Sequence, residues 1–300
     1  MSLLSREASS ILDRGVLCHV ASVTSGGPHV TPLVFAVAAD RIWVTTARGS
    51  TKARAWRRDD RVAGLVRDGE RSVAFGARVR LHDALDAGTW MRSAVEGPIV
   101  TLAAARFTVR NARFFAGYAV DANHVPLAWT PPGRVFAELR VERWARFDAD
   151  AMVETWGEWP GSPTKTARRR SNAPKPGRRR RTPFDALPTD VAALTEGTRE
   201  GALAVDVDGE PVLLPARWDR EGASIVASVP RGSDALADLP GTVPAALEID
   251  RASRWRAREM AGAMLRGTGV VSQGGGSVEV RLTPDRIVWW RGWDSGTVRA

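Results

Sequence analysis

One block of this 300-residue chain is written twice, 183 positions apart and without a gap. At that offset Ala21 matches Ala204, Gly26 matches Gly209, Pro28 matches Pro211, Pro32 matches Pro215 and Ile42 matches Ile225. Phe35 stands against Trp218, and both copies close on the same tripeptide, Arg48-Gly49-Ser50 and Arg231-Gly232-Ser233. Solenoids stack many short units in series, and so long a period excludes one. Two copies of a half-chain instead specify a fused pair, its halves facing each other as the subunits of a symmetric dimer do. The seam between them is the place to look for function.

Length and charge bound the rest. The chain suits two domains of ordinary size. The pattern predicts an N-terminal unit over 1–159 with a helical insertion at 84–132, a linker over 160–184 and a C-terminal unit over 185–300. Nine Lys and Arg lie between Pro160 and Pro183 with no Asp or Glu among them. Removing those nine from the chain's 43 basic residues leaves 34, equal to its 34 acidic ones, so the basic balance belongs to the linker. That stretch is rich in Pro, Gly, Ser and Thr and has no large apolar residue before Phe184, the composition of a disordered tether. It is expected to contribute nothing to folding. Its sharper reading is a weak, salt-sensitive arm for nucleic acid or an acidic partner.

Cys18 is the single cysteine, which rules out an internal disulfide, and the four histidines show no metal-ligand spacing, so no metal site is expected. Residues 1–15 lack the apolar core of a signal peptide, and no apolar run approaches the roughly 20 residues of a spanning helix. A cytoplasmic protein without membrane insertion is expected.

The N-terminal half reads as a small antiparallel β domain. Leu17 to Thr24 and His29 to Val37 are strands about the Ser25-Gly26-Gly27-Pro28 turn, and Ile42 to Thr46 is a third. Ser50 is placed to cap a helix over Thr51 to Arg58. Val62 to Arg67 and Ser72 to Leu81 follow as strands around Asp68-Gly69, and a meander of this length tends to close into a barrel. Ile99 to Tyr118 reads as one helix with aromatic anchors, and Val135 to Val141 returns to strand. In the second half Val278 to Leu282 and Asp285 to Trp289 read as two strands. The fold class expected is mostly β with short helices: two tandem split β-barrels forming a pseudo-dimer.

Four blocks in order carry a family resemblance: His29-Val30-Thr31-Pro32-Leu33-Val34-Phe35, Ile42-Trp43-Val44-Thr45-Thr46, Arg48-Gly49-Ser50-Thr51-Lys52-Ala53-Arg54 and Asp59-Asp60-Arg61-Val62-Ala63. Together they resemble the pyridoxamine 5′-phosphate oxidase-like family of FMN-binding split barrels, closest to members that bind FMN or the deazaflavin coenzyme F-420. The resemblance covers about residues 10 to 83 well and the second half weakly. It implies that Val30, Thr31, Pro32 and Leu33 run along the isoalloxazine ring, while Thr45, Thr46, Ser50, Thr51 and Lys52 hold ribityl and phosphate. The chemistry agrees, since a helix N-terminus and a nearby cation are what a phosphate needs.

The second copy departs at those positions: Thr46 becomes Val229, Thr51 becomes Asp234 and Lys52 becomes Ala235. Losing a cation and gaining a carboxylate repels phosphate, so one flavin per chain is expected, with Trp255, Trp289, Trp290 and Trp293 as candidates to cover the ring from the other half. The Arg and His two apart in the substrate-binding tail of authentic pyridoxamine phosphate oxidases have no counterpart in Trp290 to Gly296; the one such pair is Arg80-Leu81-His82. Vitamin B6 oxidation is therefore not expected. No catalytic residue is assigned, because no nucleophile, base and orienter constellation is visible. The expected function is a flavin-dependent oxidoreductase acting on a small molecule, as a monomeric pseudo-dimer or a homodimer. The alternatives are a non-catalytic flavin-binding or degenerate barrel and a nucleic-acid or acidic-partner binder working through the linker.

Overall fold

The computed structural model describes residues 4–83, 85–86, 88, 95–120, 133–160, 182–197, 200–230, 232, 241–251, 257–274 and 277–300. Helix α1 (Arg6–Arg14) precedes β1 (Cys18–Thr24), β2 (Gly27–Leu33), β3 (Phe35–Ala38), β4 (Arg41–Ala47), α2 (Thr51–Arg58), β5 (Arg61–Asp68) and β6 (Arg71–His82). Helices α3 (Gly97–Arg110) and α4 (Ala112–Val120), then β7 (Arg134–Asp148) and β8 (Ala151–Trp156), complete the first half. The second half holds α5 (Thr189–Gly197), β9 (Glu200–Val207), β10 (Glu210–Glu221), β11 (Ser224–Val229), β12 (Thr242–Arg251), β13 (Ala261–Gly274), β14 (Ser277–Arg291) and β15 (Asp294–Arg299).

Each half is a closed antiparallel barrel. The first sheet runs β2-β1-β5-β6-β7-β4-β3, with β8 added on β7. Its two edge strands are neighbours in the chain, so the break at Val34 carries the backbone from pairing with β1 to pairing with β4 and closes the sheet. The second sheet runs β11-β10-β9-β12-β13-β14-β15 and closes by pairing β11 with β14. There Arg217, 183 positions after Val34, is where the unbroken β10 passes from β9 to β11. Alternation fills the first barrel with Cys18, Val20, Phe35, Val62, Val66 and Phe75, while Ala21, Val30, Ala63 and Leu65 join the core of the second half.

The duplication is structural through most of the chain. Helices α1 and α5, and strands β1 and β9, β2–β3 and β10, β4 and β11, and β5 and β12, superpose by sequence at the offset of 183. From β6 to β13 the pairing register gives an offset of 190, and the bulge at Gly76/Ala77 falls on the bulge at Arg266/Gly267. Both bounds of β7 and β8 lie 143 before those of β14 and β15. The seam is isologous: β2 packs on β9, β12 and β13, as β10 packs on β1, β5 and β6. The chain thus forms its own pseudo-dimer.

Four expectations change. The expected strand His29 to Val37 is broken at Val34, because barrel closure requires the chain to change partners there. Ile99 to Tyr118 is two helices, since Asn111 stops the first and donates from Nδ2 to the carbonyls of Phe35 and Phe107. Val135 to Val141 is only part of β7, which runs on to Asp148. Val278 to Leu282 and Asp285 to Trp289 are one strand, β14; Pro284 lies opposite Gly267 at the bulge, where a side chain on Gly267 would strike Thr283 O at 2.0 Å. The basic stretch 161–181 lies outside the described residues, as do Arg231, Ser233, Asp234, Ala235 and Trp255.

Candidate functional site

Four elements of the first half and one of the second converge beside the β1–β2 turn. Ser50 caps α2 by accepting from Ala53 N at 3.1 Å, and its hydroxyl lies 3.1 Å from Thr46 Oγ1. The cap therefore ties the end of β4 to the first turn of the helix. Thr45 Oγ1 donates to Val135 O at 3.0 Å and accepts from Arg134 Nε at 3.1 Å, which holds Arg134 across the same strand end. Thr51 is exposed on the first turn of α2.

Lys52 follows with a partly buried side chain. Burial, and then Arg134, lower its pKa to about 8. His29, on β2, is lowered to about 3 by burial and then by Lys52 and Arg266, so it is neutral at physiological pH. Arg266 comes from β13 of the other half: a side chain on Gly26 would meet its guanidinium at 2.9 Å, so the glycine turn admits the arginine. Burial, and then Arg286, push the Arg266 pKa down, while Asp285 opposes the shift. Among the described residues Lys52 has no carboxylate partner. Lys52 and Arg134 repel each other at a helix N-terminus, and Arg266 bears on the same histidine as Lys52 from the other half, an arrangement that suits an anion.

The strand β2 offers a second kind of surface. Val30 N donates to Met264 Sδ at 3.2 Å, away from β1. Pro28 and Pro32 share that direction and have no N–H to leave unpaired, so the open edge presents carbonyl acceptors. Thr31 Oγ1 is buried without a hydrogen-bond partner, an orphan that a bound polar group would satisfy. The side chains of Val30 and Leu33 are committed to packing, Val30 in the seam and Leu33 inside the first barrel, which leaves their backbones to meet a ligand.

The structure brings Thr45, Thr46, Ser50 and Lys52 to one corner and sets Val30, Thr31, Pro32 and Leu33 on the neighbouring strand. His29, Arg134 and Arg266 were not singled out from sequence. His29 stood inside the motif, but no local signal marks Arg266, which reaches the site only through the seam. Trp290 packs on Gly262 and Trp289 on Gly296 within the second barrel, so both are packing residues.

The corresponding corner of the second half differs. A cavity of about 320 Å³ crosses the seam there, lined by Pro215, Ala216, Ser228 and Val229, the copies of Pro32, Leu33, Thr45 and Thr46, together with Arg67 and Asp150. The position equivalent to Arg266 is Gly76, with Arg143 packed against it. Arg143 is already paired, Nη1 to Glu210 Oε1 at 3.0 Å, with its guanidinium 5.7 Å from the Trp159 ring.

Residues 5–110 match the family described as pyridoxamine 5′-phosphate oxidase. General stress protein 26 from Bacillus anthracis is a similar solved structure, 12% identical over 51% of this chain and 96% of its own, with a TM-score of 0.34. A pyridoxamine 5′-phosphate oxidase-related, FMN-binding protein from Nostoc punctiforme is 17% identical over 49% of this chain and 87% of its own, at 0.35. An F-420 reductase is 18% identical over 47% of this chain and 98% of its own, at 0.31. No curated protein matches the chain.

Proposed function

We propose that this chain, whose residues 5–110 match the pyridoxamine 5′-phosphate oxidase family, binds one flavin nucleotide at its internal seam and serves as a flavin-dependent oxidoreductase. FMN is the cofactor favoured, with the deazaflavin coenzyme F-420 as the alternative; both fit a phosphate receptor beside a strand edge. The observation that carries this reading is the cationic corner, in which Lys52 lies near Arg134 at the Ser50-capped helix end and Arg266 of the other half bears, with Lys52, on His29 beside the glycine turn. The orphaned Thr31 hydroxyl supports the same assignment.

In this reading Lys52 and Arg266 hold the phosphate, and the Ser50 and Thr51 end of α2 adds N–H donors. The residues Thr45 and Thr46 address the ribityl chain. The β2 carbonyls meet the donor edge of the ring, and Val30 and Met264 close that side against water. The flavin supplies hydride chemistry, and the protein supplies position and access. Asymmetry supports a single site: the copy has Ala235 in place of Lys52 and Gly76 in place of Arg266, and the arginines beside it, Arg143 and Arg217, are already paired with Glu210 and Asp150.

Titration of the purified chain with FMN, and separately with F-420, followed by absorbance and equilibrium dialysis, tests the proposal. One equivalent bound per chain is expected. Two equivalent sites, or no binding of either nucleotide, overturns it.

A further inference from the structure

A second constellation lies in the seam, away from the cationic corner. His19 of β1 projects toward β12 of the other half, where its Nε2 is 3.1 Å from Glu248 Oε2 and 3.2 Å from Asp250 Oδ1. The ring's other nitrogen, Nδ1, lies 3.4 Å from Leu65 O, placed to donate its proton there. With its proton donated from Nδ1 to that carbonyl, the ring turns the Nε2 lone pair toward the two carboxylates, the orientation by which outer-shell carbonyls prepare metal-binding imidazoles; without an ion, a proton on Nε2 bonds Asp250 Oδ1 instead. Glu248 is fully buried, and neither of its oxygens has a hydrogen-bond partner among the described residues; Asp250 Oδ2 is in the same state. Buried carboxylate oxygens are rarely left bare, because desolvating them costs several kcal/mol.

We propose that His19, Glu248 and Asp250 form a binding site for one divalent transition-metal ion, of the Zn²⁺ or Mn²⁺ class, that clamps the two halves together. The three ligand atoms lie within 4.8 Å of one another. Ligands held about 2.0 to 2.1 Å from a tetrahedral ion are about 3.3 Å apart, close to the two nitrogen–oxygen separations here. One proton on Nε2 would leave Glu248 Oε1 and Asp250 Oδ2 unsatisfied, whereas an ion and its water ligands satisfy all of them. Mixed carboxylate and imidazole donors suit Zn²⁺ and Mn²⁺. All three residues sit on strands, which fixes their spacing without ordering a loop.

Arg67, on β5, also faces the cluster, and its Nη2 is buried without a hydrogen-bond partner. It offsets part of the carboxylate charge in the metal-free chain and is the competing occupant that the ion displaces. The symmetry-related positions are Ala202, Leu65 and Arg67, which offer no ligands, so one ion per chain is expected. The other grouping of this kind among the described residues, His82 with Glu96 and Glu138, already has its carboxylates engaged by Arg41, Arg80 and Arg140.

The test is calorimetric titration of Zn²⁺ into the chelator-treated full chain at neutral pH, with Mn²⁺ followed in parallel by electron paramagnetic resonance. One ion per chain, a raised melting temperature, and an affinity lowered more than about a hundredfold by His19→Ala or Glu248→Gln are expected, since lost outer-shell partners alone cost tenfold to a hundredfold. Should these variants fail to fold, the imidazole ¹⁵N resonances of the unmodified protein provide the readout: Zn²⁺ must shift His19 Nε2. No binding, binding unchanged in a folded His19→Ala chain, or a shift confined to His82 overturns the proposal.

Discussion

Replacing Lys52 with methionine removes one charge from the cationic corner and keeps most of the side-chain volume. Burial first, and Arg134 second, hold the Lys52 pKa down to about 8, so roughly nine chains in ten carry this charge at pH 7 and about one in ten at pH 9. A hydrogen bond to a charged partner contributes about 1.5 to 3 kcal/mol, roughly a tenfold to 150-fold change in Kd. Lys52→Met is expected to weaken FMN by that factor at pH 7. The sign with pH follows from the depressed pKa: the ammonium is present below about 8 and lost above it. Affinity of the unmodified chain therefore falls as pH rises past 8, toward the value of the variant. A phosphate monoester gains its second charge near pH 6, so affinity also rises from about pH 5 to 7, and the profile peaks between the two. The variant keeps the acid limb and loses the alkaline one. Quenching of FMN fluorescence, titrated from pH 5 to 9.5 at constant ionic strength to hold screening fixed, measures both limbs. A variant within twofold of the unmodified protein at pH 7, or parallel decline of both above pH 8, refutes the assignment of Lys52 to the phosphate.

Arg266→Ala should weaken FMN by about tenfold or more, although it lies in the other half, while Arg143→Ala at the copied corner leaves FMN affinity unchanged and lowers the melting temperature by stranding Glu210; equal losses of affinity in the two variants would contradict the asymmetric site. Gly64→Ala should destabilise the chain by about 1 to 3 kcal/mol, because the new Cβ would lie 2.0 Å from Phe75 Cζ inside the first barrel, and chemical denaturation reads the loss. Ser50→Ala should cost about 1 kcal/mol through the lost cap, with Thr51→Ala costing under about half of that by the same measurement.

The sequence alone determined the duplication, the mostly β character, the capped helix at Ser50 and the motif order that carries the family resemblance. All of these rest on short-range chemistry: alternation along a strand, glycine and proline at turns, and a serine before a helix are set by neighbours a few residues away. The break at Val34 was not legible, because an apolar run looks the same whether or not the strand changes partners. The expected break between Leu282 and Asp285 is absent, since the bulge that accommodates Pro284 within one strand depends on Gly267 across the ladder. The functional corner was half readable: Lys52 and Ser50 stand inside a local motif, while Arg266 enters through the seam. His19 and Asp250 are 231 positions apart, so no spacing rule could join them. Such proximity is decided by the packing of one barrel's outer face on the other, where burial of apolar strand faces fixes which distant polar groups must share a space without water.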